Sequence, residues 1–222
     1  MGEDRVSRKK TFTAYGNCQA HALAEILMTN ADFSRKFEYI PIPPIFSMET
    51  SYFDVLYEDV LPSMDVLIYM PVGGLYRDDE RFSSQSILKA VSASADLLSF
   101  TTCYFRGYNP ELMYVDKVPA LETGRFTDLN LLGAYLAGER DPVRCARLIE
   151  QDDLLDPAFL QSIVDGSIAG LAQREKHGDS RGAMSLGCAD YIAEHFRSRQ
   201  LFFTLNHPAR EILCHLADRR WV

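Results

Sequence analysis

The segment TFTAYGNCQAHALAEILM, residues 11–28, decides the fold. It begins with a short run rich in β-forming residues that ends at Tyr15, which predicts a buried strand. From Asn17 onward, apolar residues recur at the spacing of one helix face, which predicts a helix. Gly16 lies at the junction. The segment therefore predicts a strand that feeds directly into a helix.

Outside this segment, the pattern predicts strands at 38–42, 65–70, 97–102 and 201–204. It predicts helices at 83–95, 129–137, 142–150, 157–173 and 183–197, with a last helix to about residue 218 and a loop or linker at 176–182. Strands alternate with helices in the first half, which is typical of a mostly parallel sheet flanked by helices. We expect a single α/β domain over residues 1–222, with a helix-rich lobe at about 126–198.

The composition limits the kinds of partner. The net charge is −8, 47% of the residues are hydrophobic and 24% are charged. This charge argues against general nucleic-acid or membrane-surface binding, since those partners select basic faces. A small anionic ligand stays possible because a local cluster can oppose the overall sign.

The five cysteines are widely spaced and form no CxxC pair, so no zinc or thioredoxin-like motif is predicted and no metal is expected. Their pattern is typical of reduced cysteines in a cytosolic protein. The first ten residues are charged rather than apolar, and no apolar run reaches the ~18 residues of a membrane helix. We therefore expect a cytoplasmic protein without a transmembrane segment.

Cys18 is the first candidate for chemistry. A cysteine in the first turn of a helix faces unpaired backbone N–H groups and the positive end of the helix dipole, and both favour thiolate over thiol. The thiolate is the nucleophilic form. The alternative is a small buried hydrophobic residue. Its polar neighbours, Asn17 and Gln19, are poor core material and favour the reactive interpretation.

His207 is the second candidate. It stands with Pro208 at a turn after a short strand, where an imidazole could serve as general base or acid. It could equally be a histidine at a helix start whose ring faces solvent. His21 lies three residues after Cys18 on the same helix and is a rival partner.

The polar residues around Cys18 have several possible roles. The side-chain amides of Asn17 and Gln19 could donate to a carbonyl oxygen beside the Gly16 turn. Asn17 could instead be only the helix N-cap. Arg81, near the start of the 83–95 helix, could grip phosphates, although neighbouring acidic residues also fit a solvated mixed-charge face.

Three blocks of sequence resemble a known family. They are Tyr15-Gly-Asn-Cys-Gln-Ala20, Phe105-Arg-Gly-Tyr-Asn-Pro110 and Leu201-Phe-Phe-Thr-Leu-Asn-His-Pro208. In this order they are similar to the WcbI family of bacterial capsular polysaccharide biosynthesis proteins, regarded as acetyltransferases. The family is distantly similar to SGNH hydrolases, so the resemblance implies an SGNH-like first half.

The resemblance also implies coenzyme A or acetyl-coenzyme A as acyl donor and a saccharide acceptor. It implies that Cys18 matches the family's reactive position and that His207 matches the histidine that SGNH enzymes carry near the end of the chain. The remaining candidates are Gly16, Asn17, Gln19, Tyr108, Asn109 and Asn206 for the oxyanion or substrate, and Arg81 and Arg210 for the coenzyme. SGNH enzymes place an aspartate three residues before the histidine, where this chain has Thr204.

Three hypotheses follow. The leading one is a coenzyme A-dependent O-acetyltransferase acting on a sugar of a surface polysaccharide. The second is an SGNH-like esterase or thioesterase that uses water as acceptor, and the third is a non-catalytic module that binds coenzyme A or a glycan. Because Cys18 and His207 each follow a short strand, and loops after parallel strands gather at one edge of the sheet, we predict that the two residues belong to one site.

Overall fold

The computed structural model describes residues 8–74, 76–114, 126–150, 156–176 and 183–221. Its strands are β1 Lys10–Tyr15, β2 Phe37–Tyr39, β3 Val66–Tyr69, β4 Asp96–Phe100, β5 Leu112–Tyr114, β6 Phe126–Asp128, β7 Met184–Leu186, β8 Phe202–Thr204 and β9 His207–Pro208. Its α-helices are α1 Cys18–Thr29, α2 Ala31–Lys36, α3 Phe53–Val55, α4 Ser84–Ala90, α5 Leu129–Leu136, α6 Pro142–Ile149, α7 Pro157–Lys176, α8 Ala189–His195 and α9 Arg210–Trp221.

Five strands form one parallel sheet in the order β2-β1-β3-β4-β7. Every side chain of β3 is buried, as expected for a central parallel strand that is covered on both faces. Helix α1 buries Leu23, Ala24 and Leu27, and α9 packs against α1. These contacts confirm the predicted α/β class.

The strand order places a topological switch point beside β1. The chain leaves β1 for β2 on one side, then crosses to β3 on the other. Ligands of open parallel sheets bind beyond the carboxyl ends of the strands at such a point. The turn that follows β1 contains Cys18, so the reactive cysteine predicted from sequence lies at this position.

The predicted helix at 183–197 is wrong in its first half. Met184–Leu186 pairs with β4 and adds the fifth strand, and only Ala189–His195 is helical. Glu175 accepts hydrogen bonds from the backbone N–H groups of Cys188 and Ala189, which fixes the start of α8 after the strand. A three-residue strand is too short to show an alternating pattern.

The strand before His207 also differs from the expectation. β8 does not join the parallel sheet but pairs with β9 as a small antiparallel hairpin. Antiparallel β5 and β6 likewise lie outside the main sheet. Of the predicted loop at 176–182, residues 177–182 lie outside the described residues. None of the helices in the described ranges is long and apolar enough to cross a membrane.

Candidate active site

The turn that presents Cys18 is fixed from both sides. Gly16 has φ +155°, and a Cβ built on it would lie 2.9 Å from the Met70 Cβ, so a larger residue would not fit. The carbonyl of Gly16 accepts a hydrogen bond from the Ile45 N–H at 3.0 Å. Asn17 is the N-cap of α1, and its Oδ1 accepts from the Gln19 N–H at 2.9 Å. Cys18 follows as the first helical residue, with an exposed side chain.

The side chain of Gln19 connects three separate segments. Although polar, it is only 3% exposed. Its Nε2 donates to the carbonyls of Cys103 at 3.0 Å and Asn206 at 2.8 Å, and its Oε1 accepts from the Cys103 N–H at 2.8 Å. Both amide hydrogens are therefore used within the protein. Gln19 holds the turns together, and the amide of Asn17 is the better placed of the two for a substrate oxygen.

This connection brings the turns of Cys18 and His207 together. Gln19 is the residue after Cys18, and Asn206 is the residue before His207, so their hydrogen bond joins the two turns directly. A second bond, from the Phe105 N–H to the Leu205 carbonyl at 2.8 Å, ties the same hairpin to the segment after β4. The hairpin therefore reaches the carboxyl edge of the sheet without being part of the sheet.

His207 is exposed and contacts Thr204 across the hairpin. Its Nδ1 lies 2.5 Å from Thr204 Oγ1, and the same hydroxyl lies 3.2 Å from Asn206 Oδ1. Thr204 thus occupies the place that an aspartate takes in SGNH enzymes. An exposed imidazole with one nitrogen held by a neighbour can exchange a proton through the other nitrogen.

The rival His21 has a different setting. Its Nδ1 lies 3.3 Å from the Tyr39 hydroxyl, and its Nε2 is buried with no hydrogen-bond partner in the described part of the chain. Burial lowers the pKa of His21, although nearby Glu25 opposes the shift. His21 therefore packs toward β2 rather than toward the hairpin that carries His207.

The second sequence block, residues 105–110, packs against the segment that leads into the hairpin. The Tyr108 hydroxyl lies 2.7 Å from the carbonyl of Phe196 and 2.6 Å from that of Arg199, and its ring packs edge-on against Phe105. A Cβ on Gly107 would lie 2.2 Å from the Phe105 ring, so this turn requires glycine. Tyr108, predicted to bind substrate, thus has its hydroxyl occupied by backbone groups.

The other predicted binding residues lie in different environments. The Asn109 N–H bonds the Arg106 carbonyl at 3.0 Å within the same turn. Arg81 pairs with Asp79, with Nη2 and Oδ2 2.6 Å apart, and stacks over Phe53, so a phosphate would have to displace Asp79. Arg210 is exposed at the start of α9, three residues after His207, and pairs with no acidic side chain in the described ranges.

A cavity of about 340 Å³ opens at the carboxyl edge of β3 and β4. It is lined by Pro71, Thr101, Thr102, Gln173 and Arg174. The Thr102 hydroxyl contacts the sulfur of Met70, the residue that packs on Gly16. The cavity therefore adjoins the Cys18 turn. Within the described ranges, no cluster of three or more His, Cys, Asp or Glu residues could hold a metal ion.

Two features of this site differ from the sequence expectation. Gln19 is predicted as a donor to substrate, whereas its side chain binds backbone groups of the protein. Its position on the helix is the signal for this, since Gln19 precedes Leu23 by four residues on the buried face. No sequence signal indicates Gln173 and Arg174 beside the cavity, because they reach it from the end of α7.

These features define a class of parallel α/β proteins. In this class, an exposed cysteine is the first residue of the first helix, at the topological switch point, and a hairpin that carries a histidine is hydrogen-bonded to the same turn. The chain belongs to the WcbI family, whose model, described as polysaccharide biosynthesis enzyme WcbI, matches residues 11–220. The family resemblance seen in the three sequence blocks is confirmed.

A solved structure supports the same relationship. It is 26% identical, with a TM-score of 0.83, and the match covers 95% of this chain and 68% of the other. That protein is described as WcbI, a polysaccharide biosynthesis enzyme, in a native form without a disulfide bond between coenzyme A and one of its cysteines. None of the curated proteins is significantly similar in sequence.

Proposed function

We propose that this protein is a coenzyme A-dependent acyltransferase that O-acetylates a sugar of a capsular or other surface polysaccharide. The observation that carries the proposal is the hydrogen bond from Gln19 to the Asn206 carbonyl, which joins the turns of Cys18 and His207 at the switch point. The similar solved structure, whose description names coenzyme A and a cysteine with which it can form a disulfide, is consistent with coenzyme A lying near a cysteine.

The residues at the turn fit a thioester. An exposed thiol at a helix start leaves room for another sulfur nearby, and the first backbone N–H groups of α1 attract negative charge. Acetyl-coenzyme A supplies an acetyl group activated as a thioester. The side-chain amide of Asn17 and the backbone N–H of Cys18 stabilise the charge that develops on the carbonyl oxygen. Arg210 offers an exposed cation for a phosphate near the hairpin.

His207 moves the proton in this proposal. Its Nε2 accepts the proton of the sugar hydroxyl as the oxygen forms a bond to the acetyl carbon. The bond between that carbon and the coenzyme sulfur breaks, and the imidazolium returns the proton to the leaving thiolate. The acetyl group ends on the sugar and the coenzyme leaves as the free thiol, so atoms and charge balance.

The cavity is the proposed place for the sugar acceptor. Its lining offers two threonine hydroxyls, an amide and a guanidinium, which suit a hydroxyl-rich ligand that also carries negative charge. The positive Arg174 stands out in a chain with a net charge of −8, which would otherwise repel an anionic ligand.

A ligand screen tests the binding step. Melting is measured with coenzyme A, acetyl-coenzyme A and adenosine 3′,5′-bisphosphate. A ligand at about 100 times its dissociation constant adds ~2.7 kcal/mol, or a few degrees for a domain of this size. We expect a shift with all three ligands and a smaller one in Arg210→Ala. No shift with any of them at millimolar concentration contradicts the proposal.

Hydrolysis is the second candidate, because Cys18 and His207 are both exposed and water can reach them. Acetyl-coenzyme A with a labelled acetyl group distinguishes the two reactions. Transfer puts the label on an added saccharide, whereas a thioesterase releases it as acetate even when saccharides are present. Binding without either product would leave only the coenzyme-binding module.

A further inference from the structure

The hairpin that carries His207 contains a contact that family membership does not assign. Thr204 and His207 are directly opposite each other in the register of β8 and β9, so their side chains lie on one face. Thr204 Oγ1 lies 2.5 Å from His207 Nδ1. This distance is short enough for a hydrogen bond, and either atom can act as donor in a neutral pair.

The neighbouring asparagine decides the direction of that bond. A hydroxyl has one hydrogen and two lone pairs. Asn206 Oδ1, 3.2 Å from the Thr204 hydroxyl, can only accept, so it offers the hydroxyl hydrogen a partner other than His207. With the hydrogen in that bond, a lone pair of Thr204 Oγ1 accepts from Nδ1–H of His207, 2.5 Å away. The neutral ring consequently keeps its lone pair on Nε2, which is the form that can remove a proton.

We propose that Thr204 is a positioning residue that holds His207 in the tautomer with the proton on Nδ1 and the lone pair on Nε2. This inference rests on the proposed function, in which Nε2 is the base. Asn206 has two roles in this arrangement. Its side chain orients the Thr204 hydroxyl, and its carbonyl accepts a hydrogen bond from Gln19, the residue after Cys18. The Thr204–His207 pair and the Cys18 turn are therefore connected by hydrogen bonds.

In this proposal, His207 is positioned by a hydroxyl group and not by a carboxylate. A hydroxyl fixes the ring and its tautomer but adds no negative charge beside the imidazolium, unlike the aspartate at the same spacing in SGNH enzymes. Removing the hydroxyl should therefore cost about what a single hydrogen bond contributes, roughly tenfold in rate, and far less than loss of a buried triad carboxylate.

The first arm of the test reads the tautomer directly. Nitrogen NMR of the labelled protein is recorded above the titration of the ring, and the His207 signals are assigned by their loss in His207→Gln. We expect protonated Nδ1 and unprotonated Nε2 in the wild type and in Thr204→Ser. In Thr204→Val we expect a mixture of tautomers. Protonated Nε2 in the wild type, or an unchanged tautomer in Thr204→Val, overturns the inference.

The second arm reads turnover of acetyl-coenzyme A with a saccharide added as acceptor, and free coenzyme A is measured by mass spectrometry. Thr204→Val should lose about tenfold and Thr204→Ser should recover most of it. Thr29→Val is the matched control, because that hydroxyl bonds only the Ile26 carbonyl of its own helix. Full turnover in Thr204→Val overturns the positioning role. If the wild type has no turnover, the proposed function fails, while the tautomer arm still decides the inference.

Discussion

The two turns that form the site are built in opposite ways. The Cys18 turn is locked into the protein interior by the close contact of Gly16 with Met70 and by the buried side chain of Gln19. The His207 turn is a two-stranded hairpin that buries Phe202 but leaves Thr204 and His207 exposed, and the Gln19 hydrogen bond joins it to the first turn. Changes at Gly16 or Gln19 should therefore damage folding and function together. Changes at the exposed side chains of Cys18 and His207 should damage function alone.

The largest expected effect is a loss of turnover without a loss of stability, when Cys18 or His207 is replaced. His207→Gln should lower turnover of acetyl-coenzyme A by roughly 10²–10⁴-fold, the range for loss of a general base, with little change in melting temperature. Cys18→Ser should also lower turnover without unfolding the protein, because it removes the exposed thiol at the proposed coenzyme site. The double variant should lose little more than His207→Gln, because effects of residues at one site are not additive. Cys145→Ser, in helix α6, is the control. Retained turnover in His207→Gln would remove the hairpin from the mechanism.

The next effect concerns the rigid turn. Gly16→Ala puts a Cβ 2.9 Å from the Met70 Cβ and 3.1 Å from the Ala20 Cβ, at φ +155°. We expect a loss of about 3 kcal/mol in the free energy of unfolding, measured by denaturant titration. Gly166→Ala is the control in helix α7, where the added Cβ has no neighbour within 4 Å. It should gain up to ~1 kcal/mol. Equal stability of the two variants would show that the turn is not locked.

The third effect tests the connection between the turns. Gln19→Ala leaves the buried Cys103 N–H without its acceptor and releases the hairpin from the cysteine turn. We expect a loss of about 2 kcal/mol in stability together with lower turnover. Gln85→Ala is the control on the exposed face of α4 and should stay within ~0.5 kcal/mol. A Gln19→Ala variant with normal stability and turnover would contradict the clamp.

The same contrast explains what the sequence could predict. The parallel sheet and the position of Cys18 follow from local signals: β-forming runs, helical spacing and a glycine between them. The sequence also predicts a strand at 201–204, but neither its antiparallel pairing with β9 nor the strand Met184–Leu186, because two- and three-residue strands carry no period. The link from Gln19 to Asn206 joins residues 187 positions apart, and no local pattern reports such a contact.

The most direct test of the account is the reactivity of the five cysteines in the folded protein. Cys103 and Cys188 are buried with their sulfurs 3.5 Å apart, whereas Cys145 and Cys214 are partly exposed and serve as internal references. Alkylation near neutral pH, mapped by mass spectrometry, should label Cys18 faster than either reference, because its side chain is exposed at the first position of α1 whereas theirs are partly buried. Bound coenzyme A should protect Cys18 and leave the references unchanged. Faster labelling of Cys145 or Cys214, or no protection of Cys18 by saturating coenzyme A, would contradict the central claim that the Cys18 turn is the coenzyme site.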